Sequence, residues 1–168
     1  MFKRILVPLD GSKFAESVLP TAEMLATCGG GQIELLRVAV HPSTFVYVPD
    51  PAALADLYDS DRTHCYTYLQ GVVADVETRA GLHAETAVLE GPVADAILEY
   101  AKESGADLIV MSTHGRTGME RWLLGSTAEK VVRGAHVPVM LIRPRDEGKP
   151  ATVPAAAPTA VQEALPIV

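Results

Sequence analysis

The sequence has no excess of positive charge and no long apolar run, and each absence excludes a class of protein. Its 14 basic and 21 acidic side chains give a formal net charge of −7. Because duplex DNA is held largely through neutralisation of its phosphates, we expect no broad nucleic-acid-binding surface. No apolar segment approaches the ~20 residues that span a bilayer, and the run Ile5–Leu9 is too short for a secretory signal. We therefore expect a cytoplasmic protein that binds neither membranes nor nucleic acids.

The sequence also lacks the spacings of metal, redox and P-loop sites. Its two cysteines, Cys28 and Cys65, form no CxxC or Cys/His pattern, and we interpret both as reduced, buried side chains. No Gly-Lys-Ser/Thr occurs, which excludes a Walker A loop. Four histidines are scattered without the spacing of metal ligands, at His41, His64, His83 and His136. We predict no metal site made of protein ligands alone.

Short apolar runs alternate with longer helical segments, which predicts an α/β protein with a mostly parallel sheet. The predicted strands are Lys3–Leu9, Gln32–Val40, Ala84–Glu90, Asp107–Met111 and Val137–Ile142. The predicted helices are Ser12–Cys28, a long one from about Leu54 to Ala80, one opened by Gly91-Pro92, and Gly125–Arg133. Because the triplet Gly29–Gly31 precedes a strand, it predicts a helix stop and not a phosphate loop.

Apolar residues at spacings of three and four predict the buried faces of three helices. The faces are Phe14, Val18, Ala22 and Leu25, then Cys65, Leu69, Val72 and Val76, then Ala94, Ile97, Leu98 and Ala101. The proline-rich connection His41–Ala53 is expected to be irregular, with Phe45 and Tyr47 either packed on the sheet or forming a lid. We assign residues 1–145 to one domain and residues 146–168, rich in Ala and Pro, to a flexible tail.

Two segments have the composition of a ligand-binding edge. Ligands of open α/β sheets bind beyond the carboxyl ends of the strands, where the strand order reverses. One candidate segment is Pro8–Ser12, after the first strand, and the other is Ser112–Gly118, after the fourth. If these two strands are neighbours, both segments face the same crevice.

The second segment leads after nine residues from Gly115 into Gly125-Ser126-Thr127 and a helix. Glycine lets backbone amides approach a phosphate, and a helix N-terminus adds free N–H groups and partial positive charge. The same letters have a second interpretation, because Ser126-Thr127-Ala128-Glu129 fits a capping box in which Ser126 caps its own helix. Both interpretations remain open at this point.

Three polar residues near these glycines also have alternative roles. His114 has no Ser or Cys nucleophile in a recognisable arrangement, which favours a structural imidazole over a catalytic one. Arg116, like the nearby Arg121, either offsets phosphate charge or is a solvated surface residue. Asp10 precedes Gly-Ser and a helix, so it fits an Asx turn or cap, and that role is compatible with ligand binding.

The segments KRILVPLDGS and GADLIVMSTHGRTGMERWLLGSTAEKVVRGAHVPVMLI, with the helix–strand spacing between them, resemble the universal stress protein family over residues 2–143. Members that bind nucleotides carry a glycine, two residues, a second glycine, nine residues and Gly-Ser/Thr. Here the later positions are Gly115 and Gly125-Ser126, whereas the first is Ser112. The resemblance implies a single Rossmann-like domain with a five-stranded parallel sheet of order 3-2-1-4-5, helices on both faces, and ATP across strands one and four.

The resemblance also implies which residues contact the nucleotide. Asp10 would lie by the nucleoside and the Val38 backbone by the adenine, with Mg²⁺ or Mn²⁺ held chiefly by phosphates and water. The candidate site, for ATP or its ADP and AMP forms, comprises Pro8, Asp10, Val38, Met111, Ser112, His114, Gly115, Arg116, Gly125, Ser126 and Thr127.

Three functions fit this site. The first is a stress-response regulatory protein whose ATP occupancy alters its conformation or its partners. The second is a slow ATPase, although no obvious general base stands near the phosphate-binding residues. The third is a stress-related interaction protein without a nucleotide. The apolar strand Val137–Ile142 would be an exposed edge, and the resemblance implies that it pairs antiparallel with a second subunit in a homodimer.

Overall fold

The computed structural model describes residues 1–39, 50–113 and 124–143. Its strands are β1 (Arg4–Pro8), β2 (Gln32–Ala39), β3 (Ala84–Glu90), β4 (Leu108–Ser112) and β5 (Val139–Ile142). Its helices are α1 (Lys13–Glu16), α2 (Leu19–Gly29), α3 (Pro51–Ala80), α4 (Val93–Glu103) and α5 (Ser126–Gly134). The strands form one sheet of order β3-β2-β1-β4-β5, and each neighbouring pair is parallel. The expected order 3-2-1-4-5 is confirmed.

Helices cover both faces of the sheet. Because successive side chains of a strand point to opposite faces, each strand contributes to two cores. Ile5 and Val7 point to a core shared with α1, α2 and α3, whereas Leu6 points to a second core shared with α4 and α5. The five residues of β4 are all buried, as its unbroken apolar sequence predicts. The predicted faces of α3 and α4 are also confirmed, with Leu98 only partly buried.

The predicted helix Ser12–Cys28 is wrong as one element, since the chain forms α1 and α2 with a break between them. An unbroken helix would need an N–H at Pro20, which proline lacks, and proline is tolerated only in the first turn. Pro20 occupies that position in α2. As a result Val18 and Ala22 are buried as predicted, whereas Phe14 on α1 is 40% exposed.

The end of α2 confirms the predicted glycine stop. Gly30 takes the left-handed conformation, with φ 58°, and caps the helix through its N–H. Gly31 passes so close to the start of β1 that a Cβ there would lie 2.8 Å from the Lys3 carbonyl oxygen. The triplet therefore serves a turn between helix and strand.

Two further predictions are corrected by the structure. Cys28 is exposed, whereas Cys65 is buried as expected. Helix α3 begins at Pro51, so the last three residues of the connection predicted to be irregular are helical. The Asp50 carboxylate accepts a hydrogen bond from the Ala52 N–H at 2.9 Å, and proline follows directly, which together start the helix. Residues 40–49, with Phe45 and Tyr47, and the tail 146–168 lie outside the described residues.

Candidate functional site

The carboxyl ends of β1 and β4 lie side by side, and the strand order reverses between them. Ile5 pairs with Leu108 and Leu6 with Ile109, while β2 lies on the other side of β1. The two predicted segments, after β1 and after β4, therefore leave the sheet at one switch point. The two segments were expected to face one crevice if these two strands are neighbours, and the strands are neighbours.

The turn after β1 is fixed by side-chain hydrogen bonds. The Asp10 Oδ1 atom accepts from the Ser12 N–H at 2.9 Å and from the Ser12 hydroxyl at 2.6 Å. The Ser12 Oγ atom in turn accepts from the Ala15 N–H at 3.1 Å and caps α1. Asp10 thus forms the Asx turn, and Ser12 is the cap. Between them Gly11 takes φ 83°, a conformation that favours glycine.

The chain leaves β4 and returns to α5 at almost the same place. The Thr113 N–H donates to the Ile142 carbonyl at 3.0 Å, and the Thr113 carbonyl accepts from the Gly125 N–H at 3.0 Å. This contact places the start of α5 at the carboxyl end of β4. The candidates His114, Gly115 and Arg116 lie in the segment between, outside the described residues.

The capping-box interpretation of Ser126 is wrong. Gly125 is the N-cap of α5, with φ −59° and ψ 145°, and Ser126 is the first helical residue. Glycine has no side chain with which to cap, and the Glu129 carboxylate instead accepts from the Arg133 Nε at 3.1 Å. Within the described residues no side chain caps α5, so none of them supplies a side-chain acceptor for the N–H groups of its first turn.

Ser112 carries no backbone cost at its position. It is the last residue of β4, is 8% exposed and pairs with Ile142 of β5. A serine would be strained only at a positive φ, and no residue other than glycine has one among those described. The replacement of glycine by serine is therefore compatible with the local backbone.

The remaining candidates lie along the same edge. Pro8 ends β1 opposite Leu36, and β2 continues past it, which places Val38 beside the turn after β1. Carried forward, the β1–β4 register puts Met111 level with Pro8. The structure brings eight candidates to this edge, namely Pro8, Asp10, Val38, Met111, Ser112, Gly125, Ser126 and Thr127.

A charged cluster beside this turn was missed at the sequence level. The Arg37 guanidinium lies over the Tyr68 ring, 4.7 Å from its centroid. The Tyr68 hydroxyl donates to the Glu16 Oε1 at 2.8 Å. Burial and the Glu16 carboxylate together hold the pKa of Tyr68 above its ordinary value. The signal in the sequence is the arginine within the apolar strand QIELLRVA, but its partner lies on a different element.

Two features are absent from the described parts of the chain. Those parts contain no group of three or more His, Cys, Asp or Glu side chains placed to hold a metal ion. They also contain no helix that is both long enough and apolar enough to cross a membrane. The polar groups at the switch point are amides, hydroxyls and one carboxylate, which suit an organic phosphate better than a bare cation.

The order of the sheet, with its reversal between β1 and β4, defines a Rossmann-like α/β fold. A profile of the universal stress protein family matches residues 1–143. A universal stress protein of Methanocaldococcus jannaschii is 34% identical over 143 residues, which cover 85% of this chain and 83% of that protein. The chain therefore belongs to the universal stress protein family.

Solved structures agree with this assignment. Universal stress protein UspA from Lactobacillus plantarum has a TM-score of 0.73 at 28% identity, covering 84% of this chain and 98% of its own. A universal stress protein family protein from Arabidopsis thaliana, solved with AMP bound, has a TM-score of 0.63 at 20% identity. The match covers 89% of this chain and 97% of the plant chain. At that identity the likeness concerns the fold alone.

Proposed function

We propose that this protein is a cytoplasmic regulatory member of its family that binds ATP at the carboxyl edge of β1 and β4. The observation that carries the proposal is the start of α5, where Gly125 replaces a side-chain cap and hydrogen-bonds to Thr113 at the switch point. N–H groups at such a helix start bind phosphate through hydrogen bonds and the helix dipole. The AMP bound by the plant relative supports an adenine nucleotide.

Each described residue has a place in this proposal. The Ser126 and Thr127 hydroxyls and the first amides of α5 would bind the phosphates. Ser112 would face the ribose, while the Asp10 turn and the Val38 backbone would bind the nucleoside. From the sequence, His114, Gly115 and Arg116 would complete the phosphate loop. A Mg²⁺ or Mn²⁺ ion would be held mainly by phosphates and water, because the edge offers few anionic ligands.

A homodimer through β5 is the second part of the proposal. β5 is the last strand of the sheet, and its four residues are only half-buried, in contrast to the buried β4. An apolar edge strand favours pairing with another strand because its outer N–H and C=O groups need partners. Antiparallel pairing of two copies of β5 would cover this edge. Nucleotide occupancy at the adjoining start of α5 would then influence the dimer or its partners.

Native mass spectrometry of the purified protein tests both parts at once. We expect a dimer mass with co-purifying ATP, ADP or AMP, and a rise in melting temperature on addition of ATP and Mg²⁺. The variant Gly125→Val should lose that rise and at least tenfold in affinity, because the branched side chain fills the space meant for phosphate. Valine tolerates φ −59° and ψ 145°, so the fold should be retained.

The matched control is Gly71→Ala on the exposed side of α3, where an added Cβ meets nothing within 4 Å. It should bind ATP like the wild type. A wild-type protein without bound nucleotide and without a thermal shift would leave the interaction-protein alternative. Release of phosphate over hours, abolished by Gly125→Val, would favour the slow ATPase.

A further inference from the structure

The turn after β1 is in contact with a side chain of the neighbouring strand. Gly11, with φ 83°, joins β1 to α1, and glycine moves between backbone conformations more easily than any other residue. The Leu9 N–H donates to the Leu36 carbonyl at 2.7 Å and ties the start of the turn to β2, and the hydrogen bonds from Ser12 to Asp10 fix the turn internally. In the proposed function this turn carries the carboxylate nearest the nucleoside.

The side chain that supports the turn is Arg37 of β2. A Cβ built on Gly11 would collide with the Arg37 Nη1 atom and would lie 3.1 Å from its Cζ and Nη2 atoms. The guanidinium therefore fills the space against the turn where another residue would carry its side chain. The planar group thus lies against Gly11, and a shift of Gly11 towards it would require Arg37 to move as well.

Arg37 is itself held in place from α3 and α1. Its guanidinium lies 4.7 Å from the centroid of the Tyr68 ring, within the range of a cation–π contact. The Tyr68 ring is fixed at its other end, since its hydroxyl bonds to Glu16 at 2.8 Å. Glu16 lies in α1, the helix that follows the turn. The contacts thus run from the turn through Arg37 and Tyr68 back to the helix that the turn begins.

Charge adds a second reason for an arginine here. Asp10 and Glu16 are both carboxylates, and the charges of both act on Tyr68, as does that of Arg37 with the opposite sign. Without Arg37 this edge would carry two negative charges beside the site proposed for an anionic ligand. The positive charge of Arg37 beside Tyr68 offsets part of this negative charge.

We propose that Arg37 is a positioning residue that holds the Asp10-Gly11-Ser12 turn in its nucleotide-binding conformation, with Tyr68 and Glu16 as its support. The inference rests on the proposed nucleotide site, but its structural half, the fixed turn, holds without a nucleotide. In this proposal Arg37 acts on the nucleoside through Asp10 and not on the phosphates.

The test compares Arg37→Met with the wild type in binding ATP and adenosine by calorimetry. Methionine keeps an unbranched stem and removes the planar charged head. Affinity for ATP and for adenosine should fall by the same factor, about tenfold, because one cation–π contact and its packing are lost. Arg37→Lys should recover part of the loss. In an Asp10→Ala background, which lacks the acceptor for both Ser12 hydrogen bonds, Arg37→Met should have no further effect, since the residue through which it acts is already removed.

Arg4→Met is the matched control, because Arg4 also lies beside a tyrosine–glutamate pair but at the opposite edge of the sheet. It should leave both affinities within twofold. Unchanged binding in Arg37→Met would overturn the inference. So would a loss confined to ATP, which would mean that Arg37 acts on the phosphates, or additive losses with Asp10→Ala.

A measurement without nucleotide separates this inference from the proposed function. Hydrogen exchange of the Ser12 N–H, which bonds to Asp10, should be faster by about tenfold in Arg37→Met and unchanged in Arg4→Met. If the wild type binds no nucleotide but this difference appears, the proposed function fails and the role of Arg37 in holding the turn stands. If nucleotide binds and Ser12 exchanges equally in both proteins, the inference about Arg37 fails alone.

Discussion

Each edge of the sheet carries a tyrosine hydroxyl bonded to a glutamate, with an arginine beside the pair. At the carboxyl edge, the cluster is Arg37, Tyr68 and Glu16, on the face covered by α3. At the amino edge, the Tyr100 hydroxyl of α4 donates to the Glu34 Oε1 at 2.5 Å, and Arg4 lies 3.7 Å from the Glu34 Oε2. Glu34 and Arg37 are three residues apart in β2, so they point to opposite faces.

The two clusters differ in what surrounds them. Glu34 is 3% exposed, and its Oε2 atom is buried without a hydrogen-bond partner in the described structure. The amino-edge cluster thus surrounds a buried carboxylate with a tyrosine hydroxyl and a partly exposed arginine, and its role is to neutralise that carboxylate. The carboxyl-edge cluster borders a glycine turn at the switch point. The same three side-chain types therefore stabilise the fold at one edge and position a turn at the other.

The largest expected difference between the clusters is in stability. Tyr100→Phe removes the hydrogen bond to the buried Glu34 carboxylate, and we expect it to lower the free energy of unfolding by about 2 kcal/mol. Urea unfolding of the nucleotide-free protein measures this, while calorimetry with ATP should show unchanged affinity. A loss of affinity as large as that of Arg37→Met would remove the distinction between the two edges.

A smaller loss is expected from the corresponding change at the carboxyl edge. Tyr68→Phe removes the hydroxyl but keeps the ring under Arg37, and Tyr68 and Glu16 are both only half-buried. We expect a loss of about 1 kcal/mol in stability, because water can solvate the released carboxylate. Nucleotide affinity should change less than in Tyr68→Leu, which also removes the ring. Equal affinities in the two Tyr68 variants would show that the ring does not support Arg37.

The sequence predicts the arrangement of the sheet better than its polar contacts. Strand Ala84–Glu90 has the predicted bounds, because an apolar run between turn residues is a local signal. The helix break before Pro20 and the helix start at Asp50-Pro51 also have local signals in the sequence. Neither was predicted, although a proline marks each position. The sequence left open whether Ser126 caps α5, and it predicted a helix from Gly125, whereas Gly125 is the cap and the helix begins at Ser126.

The contacts of Arg37 and Arg4 have no local signal in the sequence. Arg37 meets Tyr68 and Gly11, and Arg4 meets Glu34, across elements that only the folded sheet brings together. A charged residue in a buried strand indicates that some partner exists, but not which one. The strand register decides which partner the charged residue meets, and the register in turn follows from the packing of both faces of the sheet. The site edge could thus be predicted from sequence, whereas the contacts that hold its turn could not.

The smallest expected effect concerns alkaline pH. Burial and the hydrogen bond to glutamate raise the pKa of Tyr68 and of Tyr100 above the ordinary value of about 10. A raised pKa in the folded state means that stability is complete below pH 10 and is lost as the pH rises, because the unfolded chain releases these protons first. For each tyrosine, the free energy of unfolding should be lower by about 0.4 kcal/mol at pH 10 than at pH 8.

Urea unfolding at both pH values, for the wild type, Tyr68→Phe and Tyr100→Phe, checks this. Each variant should remove its own share of the alkaline loss, and the two shares should be equal, since both tyrosines stay protonated in the folded protein. The alkaline loss removed by each variant could be equal, while Arg37→Met and Arg4→Met differ in their effect on nucleotide affinity. That result would show that the two clusters perturb their tyrosines in the same way. Their different roles would then follow from position, because only one of the two adjoins the turn at Gly11.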